Sequence, residues 1–337
     1  MTSDLAHLAI ALLVILAAAE IFTNALEHVG QWLRVSEGVT GSIFAAVGTA
    51  LPETMVPMLA IMAHPGAAAA GAEIGIGAIL GASLMLSTLS TCLMALAVAG
   101  RRGLSGRLQP ERSGFVRDLD FFLASLAMAG VAMFVPAGQQ IIRAAISFAL
   151  ILTYFIYILL TIRASMHLVR DGHGTTSTER LFLTRIGLPR TRIVALLQLG
   201  VALLMLVAGA ELFIDGVQGA SRELGVSPLI LSLLVVPIAT ELPEKVNSVL
   251  WARRGKDTLA VGNITGAMVF QGTLLPALGI LLTPWQPRLE VVASAAIAFA
   301  AAAWLRLNAG PRGPQVGALL VNGVLYVGYV VLALTRT

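Results

Sequence analysis

Long apolar segments separated by short polar connections dominate the chain. Several of them run for about 18 residues or more, enough for a helix to cross a bilayer whose apolar core is roughly 30 Å thick. The sequence lacks the ten-residue segments of alternating polarity that are typical of a membrane β-barrel. We therefore predict an all-α, polytopic membrane protein with ten transmembrane helices. The predicted spans are residues 5–28, 38–63, 67–99, 116–135, 140–162, 191–217, 226–252, 257–282, 289–306 and 315–334.

Two segments of the chain depart from this simple alternation. The third span is rich in glycine and alanine and long for one crossing, so we expect a break in it or an irregular segment before it. The longest connection follows the fifth span and contains the polar stretch DGHGTTSTE, which is typical of a flexible linker. It divides the chain into a first repeat at 1–163, a cytoplasmic linker at 164–190 and a second repeat at 191–337.

Composition agrees with the span pattern. Of the 337 residues 57% are hydrophobic and 12% are charged, and the mean hydropathy is +0.87. A soluble domain carries about 25% charged residues. The pI near 9.7 would be compatible with nucleic-acid binding, but the arginines lie in short loops between spans, so we expect no nucleic-acid partner. A single cysteine, Cys92, excludes an internal disulfide and a cysteine-based zinc site.

The positive charges also predict an orientation. The loops after the odd-numbered spans hold 17 arginines and lysines, whereas the opposite side holds four. Positive residues accumulate on the cytoplasmic side of membrane proteins. The prediction is therefore a multi-pass protein of the cell membrane with both termini outside.

An internal repeat relates the two halves. A shift of 191 residues places 11–53 on 202–244 without a gap, and 14 of these 43 positions are identical. The match ends in two similar motifs, GTALPE at 48–53 and ATELPE at 239–244. Because five spans separate equivalent positions, the second copy is inverted in the membrane. Inverted repeats of this kind are typical of transporters that work by alternating access.

Each motif places a glutamate after a proline inside an apolar span. A charge in the bilayer costs at least a few kcal/mol, so Glu53 and Glu244 need a partner or a function. We expect Pro52 and Pro243 to break their helices and free backbone carbonyls beside these carboxylates. This arrangement predicts a cation site. Lys245 is placed either to pair with Glu241 or to extend towards the membrane surface.

The motifs resemble those of the calcium:cation antiporter superfamily, which includes the sodium/calcium exchangers. The first signature of that family is approximately GTSLPE, and its second is approximately G-N-x-x-G-S-N-x-x-N. The second is similar to GAILGASLML from Gly77 and GNITGAMVFQ from Gly262. The resemblance covers both halves of the chain. It implies two inverted five-helix repeats around a central cation site.

The resemblance also implies the ligands of that site. The paired glutamates that coordinate calcium match Glu53 and Glu244, and the preceding threonines match Thr49 and Thr240. The second signature is altered: its serines fall on Ala82 and Ala267, its first asparagines on Ser83 and Met268, and its later asparagine or aspartate positions on Leu86 and Gln271. Fewer oxygens therefore remain for sodium. The predicted ion ligands are Glu53, Glu244, Thr49, Thr240, Gln271, Glu241 and Ser83.

The resulting prediction is a secondary active antiporter that exchanges calcium for sodium or protons, not an enzyme. Its partners are calcium, monovalent cations and the lipid bilayer, and no cofactor is expected. One alternative is a sodium/proton or other cation/proton exchanger that does not use calcium. Alternatives from other classes are an intramembrane hydrolase with paired carboxylates and a membrane scaffold without transport. Stabilisation by ions would distinguish transport from both of these. The coupling ion and the oligomeric state stay open.

Overall fold

The structure, a computed structural model, describes residues 2–32, 46–62, 68–169 and 180–335. Within these ranges the chain is helical, and the one β-type contact is an isolated bridge between Arg107 and Gln315. In chain order the helical elements are α1 (Thr2–Trp32), α2 (Ala46–Met62), α3 (Ala68–Met85), a π-helical turn (Leu86–Ser90), α4 (Thr91–Arg102), α5 (Arg112–Met133), α6 (Gln140–Val169), α7 (Phe182–Arg185), α8 (Arg192–Leu224), α9 (Pro228–Thr240), α10 (Leu242–Arg253), α11 (Asp257–Leu282), α12 (Leu289–Leu307) and α13 (Val316–Leu334).

Six helical segments of the described chain are long and apolar enough to cross a membrane. They are Ala69–Arg102, Gln140–Ala164, Arg192–Glu223, Ala260–Leu282, Leu289–Leu307 and Val316–Leu334. Large apolar side chains on the outer faces of α6 and α13, such as Phe155 and Val327, are exposed, as expected for surfaces that contact lipid. The predicted all-helical membrane protein is therefore confirmed. The count of ten crossings and their inverted arrangement stay predictions.

The two PE motifs lie in different helical surroundings. In the second copy α9 ends at Thr240, Glu241 follows with φ −99° and ψ 6°, and α10 begins at Leu242. Pro243 causes this break, because it has no N–H to extend the hydrogen bonds of α9 and is well suited to the first turn of a new helix. In the first copy α2 continues through Pro52 without a break. The expectation of a break at Pro52 was therefore wrong: that proline removes one hydrogen bond, and the helix continues on both sides.

The third span contains a π-helical turn at Leu86–Ser90 and no break, so the expected break was wrong. Residues 63–67, where an irregular segment was the alternative, lie outside the described ranges. The helix continues on both sides of the π-helical turn, from Ala68 to Arg102. Buried hydroxyl groups satisfy backbone carbonyls along this stretch: Ser87 Oγ donates to the Ser83 carbonyl over 2.8 Å, and Thr91 Oγ1 donates to the Ser87 carbonyl over 3.0 Å. Asn322 of α13 also donates to the Ser87 carbonyl, over 2.8 Å. Such turns are rare in proteins overall, and many of those known lie at functional sites.

Close packing between α3 and α9 depends on the glycines of the second signature. A Cβ atom at Gly81 would lie 2.3 Å from the carbonyl oxygen of Leu233, and one at Gly77 would lie 2.7 Å from that of Leu229. Small residues let membrane helices approach this closely. Gly77 and Gly81 therefore permit the short distance between α3 and α9, and α9 leads into the ATELPE motif.

Two large apolar clusters form most of the core of the described chain, and both contain residues of α3 and α9. A third, small cluster lies around Leu181 and Val194. The smaller of the two large clusters joins α1, α2 and α8, with Ile15 and Phe213 among its buried members. The larger cluster surrounds α11 and includes residues of α5, α6, α12 and α13, with Phe122 and Trp285 fully buried. The helices that carry the predicted site residues lie where the two large clusters meet.

The described part of the predicted linker is ordered against the helices. Helix α6 extends to Val169, beyond the predicted start of the linker at 164, and residues 170–179 lie outside the described ranges. From Arg180 onwards the chain packs on α1 and α8: Asn24 Nδ2 donates to the Arg180 carbonyl over 3.3 Å, and the Leu183 N–H donates to Gln198 Oε1 over 3.0 Å. The stretch from Arg180 is therefore docked on the transmembrane helices rather than free.

Candidate cation-binding site

A side-chain hydrogen bond joins the two halves of the chain at the first PE motif. Glu53 on α2 accepts a hydrogen bond at Oε2 from the Nε2 atom of Gln271 on α11. Both side chains are buried: Glu53 is 4% exposed and Gln271 is not exposed at all. The amide satisfies one carboxylate oxygen but brings no positive charge to balance the carboxylate. Glu53 and Gln271, one predicted ligand from each half of the chain, are thus in direct contact.

Each of these two side chains also keeps an acceptor oxygen without a hydrogen-bond partner in the described part of the protein. These atoms are Glu53 Oε1 and Gln271 Oε1. A buried polar atom left without a partner is costly, so it marks either strain or a missing ligand. Carboxylate and amide oxygens are the ligands that hard cations prefer. The pair therefore offers two oxygens to an ion at the interface of α2 and α11.

The second PE motif contributes an ion pair at the break between α9 and α10. The Lys245 Nζ atom lies 3.0 Å from Glu241 Oε2, and it donates a hydrogen bond to the backbone carbonyl of Pro237 over 2.8 Å. Glu241 is fully buried and Lys245 is 5% exposed. Of the two placements left open for Lys245, the structure shows the pairing with Glu241. Neither charge is left alone in the apolar interior, where an unpaired charge costs several kcal/mol.

Glu244 lies in the first turn of α10 and is buried, with 2% of its surface exposed. Its position is fixed through the backbone, since Asn263 Nδ2 on α11 donates to the Glu244 carbonyl over 3.1 Å. The same amide donates to Ser248 Oγ over 2.9 Å. Asn263 therefore holds α10 on α11 rather than acting as an ion ligand.

The charged groups of both motifs act on one another. The Glu53 carboxylate is subject to the charges of Glu244, Glu241 and Lys245. Three carboxylates and one ammonium would carry a net charge of two negative units if all were ionised. Such an excess of negative charge in an apolar surrounding favours either a bound cation or protonation of a carboxylate.

The remaining predicted ligands have different roles in the structure. Ser83 Oγ donates to the backbone carbonyl of Gln271 over 3.3 Å, so it positions the helix that carries Gln271. Thr240 Oγ1 donates within its own helix to the Val236 carbonyl over 3.2 Å. Thr49 belongs to α2, but its side chain lies outside the described part of the structure.

Within the described residues no group of three His, Cys, Asp or Glu side chains is arranged to hold a metal ion. The reason is visible in the contacts: Gln271 holds Glu53, and Lys245 holds Glu241. The structure thus shows the predicted acidic residues gathered and buried, but not closed around a common centre.

The sequence did not predict several residues that shape the site. The Pro237 carbonyl accepts the helical hydrogen bond of the Glu241 N–H over 3.3 Å and also that of Lys245 Nζ over 2.8 Å. Tyr326 of α13 is near enough to Glu241 for its hydroxyl to be influenced by that carboxylate. A tyrosine in an apolar span gives no signal by itself. Pro237 and Lys245 could have been linked, since eight residues separate them across a predicted break.

Comparison with known proteins places this arrangement in a family. A family model described as sodium/calcium exchanger protein matches residues 4–163 and 194–335. The chain is 26% identical over 329 residues to the inner membrane protein YrbG of Escherichia coli strain K12, in a match that covers 95% of this chain and 94% of YrbG.

Two solved structures show the same fold at low sequence identity. The H+/Ca2+ exchanger CAX has a TM-score of 0.72 at 15% identity, over 98% of this chain and 87% of that chain. The sodium-calcium exchanger NCX_Mj has a TM-score of 0.59 at 19% identity, over 99% of this chain and 98% of that chain. The resemblance drawn from the two PE motifs is confirmed: the chain belongs to the sodium/calcium exchanger protein family.

Proposed function

We propose that the protein is a secondary active antiporter that exchanges calcium for sodium or protons by alternating access around Glu53 and Glu244. The observation that carries the proposal is the gathering of buried carboxylates from both halves, with Glu53 subject to the charges of Glu244 and Glu241. Membership of the sodium/calcium exchanger protein family supports antiport of cations. No covalent chemistry is needed for this function.

Calcium suits the oxygens that the site offers. It takes six to eight oxygen ligands from carboxylates, amides, backbone carbonyls and water. The carboxylates of Glu53 and Glu244, the Oε1 atom of Gln271 and carbonyls near the break at Glu241 could supply most of these. Two negative charges in excess match one divalent cation. Calcium here is the transported substrate, not a resident cofactor.

The counter-ion moves in the direction opposite to calcium and competes with it for the same carboxylates. Protons neutralise carboxylates directly, whereas sodium needs neutral oxygens that Ala82 and Ala267 do not provide. The fold likeness to a structure described as an H+/Ca2+ exchanger supports protons, and that to a structure described as a sodium-calcium exchanger supports sodium. We keep both ions in the proposal.

One observation favours a second candidate, a cation/proton exchanger that does not carry calcium. The ammonium of Lys245 lies within electrostatic reach of Glu53. A positive charge near the site opposes a divalent ion more strongly than a monovalent one. Under this alternative, protons and a monovalent cation alternate on Glu53 and Glu244.

We propose further that the protein lies in the cell membrane with both termini outside. The support for this orientation is the excess of arginine and lysine in the loops after the odd-numbered spans. Calcium would then leave the cytoplasm while the counter-ion enters. Arg102 and Arg107 lie in one of these loops, so the orientation places their contacts on the cytoplasmic side.

Calcium flux in proteoliposomes tests the function. We expect wild-type protein to take up calcium when a pH gradient or a sodium gradient is imposed, each in a separate experiment. Glu53→Gln and Glu244→Gln should each lower the uptake rate by about 100-fold or more, because even substitutions behind metal ligands cost 10–100-fold in affinity. The gradient that drives uptake identifies the counter-ion.

Glu290→Gln is the matched control, since this glutamate lies at the start of α12 and outside the site. Its uptake should equal that of the wild type. Calcium uptake at the wild-type rate by Glu53→Gln and Glu244→Gln would contradict the proposal. Sodium/proton exchange without calcium uptake by the wild type would select the second candidate.

A further inference from the structure

Lys245 places an ammonium group at the break between α9 and α10. Its Nζ atom contacts Glu241 Oε2 at 3.0 Å and the Pro237 carbonyl oxygen at 2.8 Å. The chain has two lysines, and the other, Lys256, is exposed on the surface. A buried lysine inside a membrane span is costly and needs a reason beyond chance.

The surroundings of the ammonium are those of a monovalent-cation site. In transporters with interrupted helices, freed backbone carbonyls and the C-terminal ends of half-helices bind sodium. Because α9 ends at Thr240, the Pro237 carbonyl belongs to its last turn, where the helix dipole is negative. This oxygen accepts the Glu241 N–H over 3.3 Å and has a second lone pair for a cation. Glu241 adds a carboxylate at the same place. Carboxylate, carbonyl and dipole thus converge on the position that the ammonium fills.

The internal repeat shows that this charge pair belongs to one half only. A shift of 191 residues places Glu241 on Ala50 and Lys245 on Thr54, so neither charge has a counterpart in the first motif. The first motif also lies in a continuous helix, whereas the second is interrupted at Glu241. The acid, the ammonium and the break therefore occur together in the second motif only, which indicates that they belong to one common feature.

We propose that the Lys245 ammonium is a tethered cation that fills a monovalent-cation position between Glu241 and the Pro237 carbonyl, so that no mobile ion enters this position during exchange. This inference rests on the proposed function of the site. Since the pair carries no net charge, Glu53 and Glu244 are the carboxylates that the exchanged ions reach. One divalent cation or two monovalent ones neutralise them.

The competing interpretation is a purely structural ion pair that braces the helix break. The two interpretations predict different results when the ammonium is removed. A tethered cation leaves behind oxygens that a sodium ion can use, whereas a brace leaves only a weakened structure that no particular salt restores.

Thermal unfolding of Lys245→Met tests this difference. Methionine keeps an unbranched apolar side chain but removes the charge. The purified full-length variant is unfolded in sodium chloride and in choline chloride at equal ionic strength. We expect its melting temperature to be higher in sodium by about 2 °C or more, because an ion that binds only the folded state stabilises it.

Three further proteins serve as controls. Wild type and the matched lysine variant Lys256→Met report any binding of sodium at Glu53 and Glu244, and sodium should raise their melting temperatures by less than that of Lys245→Met. The double variant Lys245→Met/Glu241→Gln lacks the carboxylate as well and should lose the additional sodium effect. Equal melting temperatures of Lys245→Met in the two salts would overturn the inference, as would a sodium effect of the same size in Lys256→Met.

Failure of Lys245→Met to fold in choline also gives an answer. Folded, monodisperse protein obtained in sodium but not in choline supports the inference, and loss of the protein in both salts overturns it. The readout is independent of calcium. If the wild type takes up no calcium, the proposed function fails, yet a sodium effect larger in Lys245→Met than in Lys256→Met still identifies the tethered cation.

Discussion

At the scale of single residues, the partner of each buried carboxylate decides what it can do. Glu241 is paired with an ammonium at 3.0 Å, so its charge is already matched. Glu53 has only the neutral amide of Gln271 as its hydrogen-bond donor in the contacts described, so no cationic side chain pairs with it there. Two glutamates in one apolar surrounding thus have different availability for transport.

Replacement of Gln271 tests this role of the amide. Gln271→Ala removes the donor to Glu53 and the Oε1 acceptor, and a hydrogen bond to a charged group contributes roughly 1.5–3 kcal/mol. We expect the calcium concentration for half-maximal uptake to rise about tenfold, measured in proteoliposomes. Thr273→Val is the control on the same helix, because Thr273 Oγ1 bonds within α11, to the Val269 carbonyl over 2.6 Å. Equal calcium dependence of Gln271→Ala and Thr273→Val would remove Gln271 from the site.

At the scale of helices, the distance between α3 and α9 controls where the second motif lies. Ser232 Oγ on α9 donates to the Ile74 carbonyl on α3 over 2.6 Å, one turn before Gly77. Gly77 and Gly81 leave room for this approach. Because α9 leads directly into Glu241, a displacement of α9 moves the helix break and its charges.

Gly81→Ala should therefore be destabilising. The added Cβ would lie 2.3 Å from the Leu233 carbonyl oxygen, and this contact is backbone, which cannot move aside cheaply. We expect the melting temperature to fall by several degrees, consistent with the 1–3 kcal/mol cost of overpacking. Gly130→Ala is the matched control, because a Cβ there meets nothing within 4 Å and alanine favours helix. Equal melting temperatures for the two variants would show that α3 and α9 tolerate separation.

The sequence predicted the elements better than their details, for physical reasons. Apolar length and the glutamates after proline were visible because membrane burial makes such residues costly. The difference between Pro52 and Pro243 was not visible, since each removes one backbone donor and only the surrounding packing decides whether a helix continues. The contacts of Asn24 with Arg180 and of Gln198 with Leu183 were also beyond prediction, because they depend on how the chain folds back after the linker.

At the scale of the whole molecule, charged contacts join the two halves at one end. Arg102 forms a bidentate ion pair with Asp257, with nitrogen–oxygen distances of 2.7 and 2.8 Å. The Gln109 N–H donates to the same aspartate over 2.7 Å, and Arg107 donates to the Gly313 carbonyl over 2.6 Å. These residues lie in loops and at helix ends on the side that the charge bias assigns to the cytoplasm. They tie the halves together on the side opposite to the predicted termini.

Cysteine labelling in intact cells tests the proposed orientation. In a Cys92→Ser background, Gln286→Cys lies in an exposed turn that we expect outside, and Lys256→Cys in one that we expect in the cytoplasm. A membrane-impermeant maleimide should label Gln286→Cys in intact cells and Lys256→Cys only after permeabilisation. The reverse labelling pattern would show that the orientation is opposite to the proposed one, and the proposed direction of calcium movement would be reversed as well.

The π-helical turn at Leu86–Ser90 has a consequence for how its helix packs. One additional residue in a helix rotates the residues after it by about 100° relative to those before it. Before the turn the helix packs on α9, and after it the helix packs on α13. The turn thus changes the rotational register of one continuous helix. Its first part can face α9, next to the candidate site, and its second part can face α13.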